Sequence, residues 1–192
     1  MPLTPDRSVT AVVLAAGAGS RMGTPKALLV TADGESWVAV ACRVALSSGC
    51  ARVVVVLGAD ASRVDVPTDA AIRTVVNPDW QSGMASSLRV GLGAATGDAA
   101  LVTVVDMPEA PASVGRRVLA SGAPLARAVF DGRPGHPVLI SREHWDAVAA
   151  SVSDDEGARA YLDAHGVVEV ECGDLYDGHD IDVPPAGPPL VE

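Results

Sequence analysis

Between Val12 and Leu29 the chain reads V-V-L-A-A-G-A-G-S-R-M-G-T-P-K-A-L-L, an apolar run that stops abruptly in glycine. A buried strand ends there and the chain enters a loop. Gly17, Gly19 and Gly23 lack Cβ atoms, so the backbone can take positive φ and bring N–H groups close to an anion. Arg21 and Lys26 add cationic donors where phosphate oxygens would sit. Such a loop belongs to a protein that handles nucleotides or other phosphate esters. Two better-known phosphate loops are excluded. A P-loop needs Lys directly after its last Gly, whereas Thr24 and Pro25 separate Gly23 from Lys26. The dinucleotide fingerprint needs a glycine at position 22, which is Met22, and no acidic residue closes a clear second strand.

Strand-like and helix-like segments alternate after this loop. Thr10–Ala16, Arg52–Leu57, Ala71–Val76, Ala99–Val105, Ala126–Phe130, Val138–Ile140 and Val167–Val170 read as strands. Trp37–Ser48, Gly83–Ala95, Pro111–Ala120, Arg142–Ser151 and Glu156–His165 read as helices. The alternation predicts an α/β fold, a three-layer, doubly wound, mostly parallel sheet of Rossmann-like type. Aromatics are only 3% of the 192 residues, which suits the aliphatic core of such a sheet. The length and the absence of a dividing linker predict a single domain over 1–192, with a Pro-rich extended tail from about 184.

Composition narrows the partners. A net charge of −10 argues against nucleic acid, but not against a nucleotide held by a few local cations and a metal. No apolar run reaches the ~18 residues of a membrane span, and no secretion signal precedes the first strand. The odd set Cys42, Cys50 and Cys172 fits no metal knuckle and reads as buried thiols in a reducing cytoplasm.

In a doubly wound sheet, ligands sit beyond the carboxyl ends of the strands. Asp106 falls at such an end, after L-V-T-V-V, placed either to cap the next turn or to hold Mg²⁺ beside a polyphosphate. Gly83 breaks the chain in N-P-D-W-Q-S-G-M-A-S-S-L and opens a helix with free N–H groups and hydroxyls. His136 lies in D-G-R-P-G-H-P, read as a rigid loop between strands, either structural or touching substrate. In D-I-D-V-P, strand alternation puts Asp180 and Asp182 on one face, either as a solvated edge or as a metal contact.

Residues Leu14 to Lys26 resemble, almost position for position, the L-A-A-G-x-G-x-R-M-G-x-P-K signature of the MobA-like NTP transferases. The likeness runs from Val12 to Pro184 and is greatest to the molybdenum cofactor cytidylyltransferase branch. That branch favours L-A-A-G, as here, over the L-A-G-G of its guanylyl counterpart. The resemblance implies transfer of CMP from CTP to a phosphorylated acceptor such as molybdopterin, with release of pyrophosphate. It implies catalytic roles for Arg21, Lys26 and Asp106. Leu14, Ala15, Ala16, Gly17, Gly19, Ser20, Arg21 and Lys26 would bind nucleotide, joined by Gly83, Met84, Ser86 and Ser87. Mg²⁺ would rest on Asp106 and on Asp182, favoured over Asp180, although Val183 and Pro185 depart from the family's D-I-D-T-P ending. His136 and Arg159 would meet the acceptor, with Asp154 standing where the branch carries glycine. A cytoplasmic enzyme in passing contact with a molybdoenzyme is implied. A sugar, isoprenoid-precursor or alcohol phosphate as acceptor, or a silent nucleotide-binding or cofactor-handing module, stays open.

Overall fold

The computed structural model describes residues 8–20, 22–152 and 157–181. The proline tail therefore lies outside the described residues, as do Arg21 and Asp182. Seven strands form one sheet: β1 (Val9–Ala15), β2 (Arg52–Leu57), β3 (Ile72–Val76), β4 (Ala99–Val104), β5 (Leu125–Phe130), β6 (Arg133–Ser141) and β7 (Val168–Glu171). Their spatial order is β3-β2-β1-β4-β6-β5-β7. All pairings are parallel except those of β6 with β4 and β5.

Residues of alternating parity along the strands feed two separate cores. One core holds Val13, Val53, Val55 and Leu101 against helices α1 (Trp37–Ser47) and α3 (Ala112–Ala120). The other holds Val12, Val54, Val56 and Val102 against α2 (Met84–Ala94), α4 (Trp145–Ser151) and α5 (Arg159–Ala164). The expected three-layer, mostly parallel sheet is what the chain builds. β1 has a neighbour on each side and all seven of its residues are buried. Ser36 starts α1 by accepting the Ala39 N–H at 3.0 Å. Cys42, Cys50 and Cys172 are free and buried. No helix of the described residues is long and apolar enough to cross a membrane.

One local expectation is corrected. The segment around His136 is part of a strand, because β6 begins at Arg133 and runs to Ser141. The reason is a tight hairpin: Asp131 and Gly132 both take positive φ, at 51° and 73°, as a two-residue primed turn requires. The two prolines of the segment masked this strand in the sequence.

Helix α2 comes close to the sheet at Gly91, where a Cβ would lie 2.4 Å from Val12 Cγ1. Val12 is fully buried on β1, an interior strand of the sheet, and has little room to move. Gly91→Ala is expected to destabilise the fold by about 1–3 kcal/mol despite the better helix propensity of alanine. A fall in the urea midpoint at unchanged m would show it.

Candidate active site

Parallel pairing brings the carboxyl ends of β1 and β4 side by side, with Leu14 opposite Val104. The loop after β1 and Asp106 after β4 therefore meet. The Val105 N–H donates to the Leu14 carbonyl at 3.2 Å, extending the ladder to the edge of the site. Beyond the loop the chain makes a single 3-10 turn, Lys26–Leu28. Lys26 Nζ reaches back to donate to Asp106 Oδ2 at 2.7 Å, and the two side chains are 16% and 20% exposed.

The loop's path demands glycine at Gly19. Its φ is 60°, and a Cβ there would fall 2.0 Å from the Thr24 carbonyl oxygen. Close approach also explains Gly58, at the end of β2. A Cβ on it would meet the Ala16 carbonyl oxygen at 2.5 Å and Trp80 Cβ at 2.6 Å. The Ala16 carbonyl is instead held by the Ala59 N–H at 3.0 Å.

These elements enclose a cleft of about 510 Å³. Leu14, Ala15, Ala16, Gly17, Gly19, Ser20, Lys26, Gly83, Met84, Ser87 and Asp106 are among the residues that line it. Each of these positions was singled out in the sequence, whereas Ala18, Met22, Ala27, Trp80, Gln81, Val104 and Val105, which complete the lining, were not. Ser86 is not part of the lining; its hydroxyl donates to the Asp79 and Gly83 carbonyls and so braces the turn that opens α2. Arg21, expected on the loop, and Asp182, expected at the metal, lie outside the described residues.

A second cavity of about 300 Å³ adjoins the first through Leu14 and Met84. His136 and Arg159 both line it, together with Arg127 and Asp180. Asp180 arrives because the Ile181 N–H donates to the Asp106 carbonyl at 3.0 Å, docking the C-terminal segment on the end of β4. Arg127 is buried and donates to Asp163 of α5 and Glu169 of β7, each at 2.6 Å, which fastens the helix bearing Arg159 to the sheet.

The local field is negative on the Asp106 side. Burial, followed by the carboxylates of Asp177, Glu109, Asp180 and Asp106, pushes the Tyr176 hydroxyl up to about 12. His136 behaves differently. Burial holds its imidazole below the ordinary histidine value, against the opposing pull of the Val102 carbonyl and the Asp180 and Asp106 carboxylates. A neutral ring at pH 7 suits hydrogen bonding to a heterocycle better than neutralisation of a phosphate. Asp106 Oδ1 is buried with no hydrogen-bond partner, an orphaned carboxylate oxygen of the kind a divalent cation satisfies. No group of three or more His, Cys, Asp or Glu residues gathers into a metal-binding cluster among the described residues.

Sequence reading missed Asn77, Trp80, Arg127 and Asp180's place on the second cavity. Trp80 belongs to a segment already singled out, and a flat apolar ring beside Gly83 was a usable signal. Asn77 and Arg127 gave none, because a polar residue next to or within a strand reads as surface until burial is known.

The depressed His136 value has a consequence for stability. An unfolded imidazole takes up its proton near 6.5, whereas the folded one does so only at lower pH. The folded state therefore binds fewer protons below about pH 6.5, and stability falls from there down to the folded value, then levels. His136→Asn removes this contribution. The wild type is expected to lose stability relative to the variant as pH falls below about 6.5, read as the difference between two urea-denaturation series.

A family model described as the MobA-like NTP transferase domain matches residues 11–170. Nicotine blue oxidoreductase of Paenarthrobacter nicotinovorans is 40% identical over 188 residues, 91% of this chain and 92% of that protein. Molybdenum cofactor cytidylyltransferase of Escherichia coli (strain K12) is 27% identical over 140 residues, 70% of this chain and 71% of that protein. Among solved structures, Rv0371c from Mycobacterium tuberculosis H37Rv superposes with a TM-score of 0.75 at 27% identity, covering 92% of this chain and 94% of its own. A complex of Rv0371c with manganese shares the fold at a TM-score of 0.69 and 23% identity, over 86% of this chain and 88% of that one.

Proposed function

This chain belongs to the MobA-like NTP transferase family, and from that premise we propose that it transfers CMP from CTP to a phosphorylated acceptor, molybdopterin being the acceptor that fits best. The observation that carries the reading is the cleft in which the glycine loop, Lys26 and Asp106 converge beside a second cavity. An acceptor phosphate oxygen attacks the α-phosphorus of CTP, the bond to the β-phosphate oxygen breaks, and pyrophosphate leaves. A phosphate dianion needs no general base.

The protein's part is positioning and charge neutralisation. Backbone N–H groups of the loop at Gly17–Ser20 hold the triphosphate, and Arg21 and Lys26 balance charge on the leaving pyrophosphate. Asp106 holds the Lys26 ammonium at the cleft. Asp106, with Asp182, would hold Mg²⁺, which supplies neutralisation of phosphate charge; the orphaned Asp106 Oδ1 fits that task. The acceptor's ring system takes the second cavity, whose walls include Leu88, Val138, Ile140 and Leu162, with neutral His136 at its polar edge and Arg159 nearby. The reaction would run in the cytoplasm, with the product passed to a molybdoenzyme by brief contact.

A second reading is favoured by the 40% identity to an oxidoreductase. In it, the second cavity would take nicotine blue, the compound in that relative's name, and the cleft would take the redox partner.

One assay separates the two. Pyrophosphate release is followed from CTP, GTP, ATP and UTP with Mg²⁺, with and without molybdopterin. In parallel, oxidation of a reduced nicotinamide dinucleotide is followed with nicotine blue. Acceptor-dependent release from CTP supports transfer, whereas dye-dependent oxidation without pyrophosphate release favours the second reading. Under the transfer reading, Lys26→Ala is expected to lower kcat about 10²–10³-fold with a much smaller change in acceptor KM.

A further inference from the structure

The polar side chains at the mouth of α2 are organised by one residue outside the cleft lining. Asn77 follows β3 and is 1% exposed. Its N–H donates to the Leu57 carbonyl at 2.8 Å, fixing it to the end of β2. Its Oδ1 accepts the Asp79 N–H at 3.0 Å. That bond sets the orientation of the amide, because a flipped side chain would place donor against donor. Nδ2 must then point the other way, and it donates to Ser86 Oγ at 2.8 Å and to Ser87 Oγ at 3.0 Å.

The two hydroxyls end up different. Ser86 accepts from Asn77 and commits its own hydrogen to the Asp79 and Gly83 carbonyls, both at 2.9 Å. Ser87 also accepts from Asn77, but its hydrogen has no acceptor among the described residues, and Ser87 lines the cleft. With one lone pair of its oxygen occupied by Asn77, the part of the Ser87 hydroxyl left without a protein partner is its hydrogen, and a buried hydroxyl satisfies that need by donating to an acceptor on a ligand. The phosphate end of the cleft is set by the glycine loop, Lys26 and Asp106. The wall of Trp80, Met84 and Ser87 carries a flat ring, an apolar side chain and no charge, which suits a nucleobase.

We infer that Asn77 is a positioning residue that orients the Ser87 hydroxyl so that its hydrogen is donated to an acceptor atom on the edge of the bound base, and that the Asn77–Ser87 pair thereby contributes to nucleotide choice. The inference rests on the nucleotidyltransferase reading. Bases of equal size but reversed donor and acceptor pattern, cytosine against uracil or guanine against adenine, are what such a donor separates.

The test is nucleotide binding by calorimetry at pH 8, without acceptor, for CTP against UTP and GTP against ATP. Ser87→Ala is expected to lower the preference of the better-bound base over its same-sized rival about tenfold, the loss of one hydrogen bond in a desolvated site. Asn77→Asp replaces the donor amide by an acceptor, turns the Ser87 hydrogen away from the ligand and lowers the same ratio to a similar degree. In the Ser87→Ala background it is expected to change the ratio no further. General loosening of the cleft would weaken both nucleotides alike and leave the ratio unmoved. Should Asn77→Asp fail to fold, Asn77→Ala frees the Ser87 hydroxyl to rotate and lowers the ratio in the same direction, by less. An unchanged ratio in Ser87→Ala, or fully additive effects at the two positions, overturns the inference while the nucleotidyltransferase reading stands. A wild type that binds none of the four nucleotides overturns both.

Discussion

The parallel pairing of β1 with β4 is the interaction on which the site depends. It places two strand ends in register, Leu14 against Val104, so that two loops far apart in sequence leave the sheet at one point. Lys26 and Asp106 are 80 residues apart and meet at 2.7 Å. No local sequence preference could bring them there. The ladder's hydrogen bonds and the two cores that clamp β1 supply the free energy that closes so long a loop. The pairing is also rigid, since β1 is buried along its whole length, and a rigid support is what positioned charges require.

Charge is arranged on two scales. The molecule carries a net charge of −10, which at long range repels a nucleotide triphosphate. At short range the loop lines the cleft, and Lys26 is held beside it by Asp106. Asp106 serves both ends of this arrangement: it pins Lys26 through one oxygen and keeps the other unpaired and out of water. Screening by salt weakens the long-range repulsion far more than the partly buried Lys26–Asp106 contact.

The same fold and family carry different chemistries. A relative named for redox chemistry is 40% identical to this chain, and one named for cytidylyl transfer is 27% identical. A shared scaffold does not settle the reaction, which depends on what the two cavities accept. The loop side of the cleft is built largely from backbone and small side chains, which makes few demands on side-chain identity. The second cavity is built from side chains such as Arg127, His136 and Leu162, so its selectivity can change by substitution without disturbing the sheet.

Local chemistry was legible in the amino-acid order. The switch from valine to glycine at the end of β1, the aspartate closing β4 and the glycine opening α2 each carry a physical signal within a few residues. From them the layered sheet, the loop and eleven lining positions of the cleft could be read. The His136 strand was hidden because prolines argue against a strand, while the Asp131–Gly132 turn that rescues it depends on pairing with β5. The protonation of His136, the division of labour between Ser86 and Ser87, and the hold of Arg127 on α5 belong to tertiary structure alone. Each depends on burial and on partners brought in from other elements, and sequence spacing says nothing of desolvation. The sequence by itself determined which segments form strands and where backbone can meet an anion, because those follow from short-range sterics and periodicity. Only the packed structure decided which polar atoms are paired and which are left over.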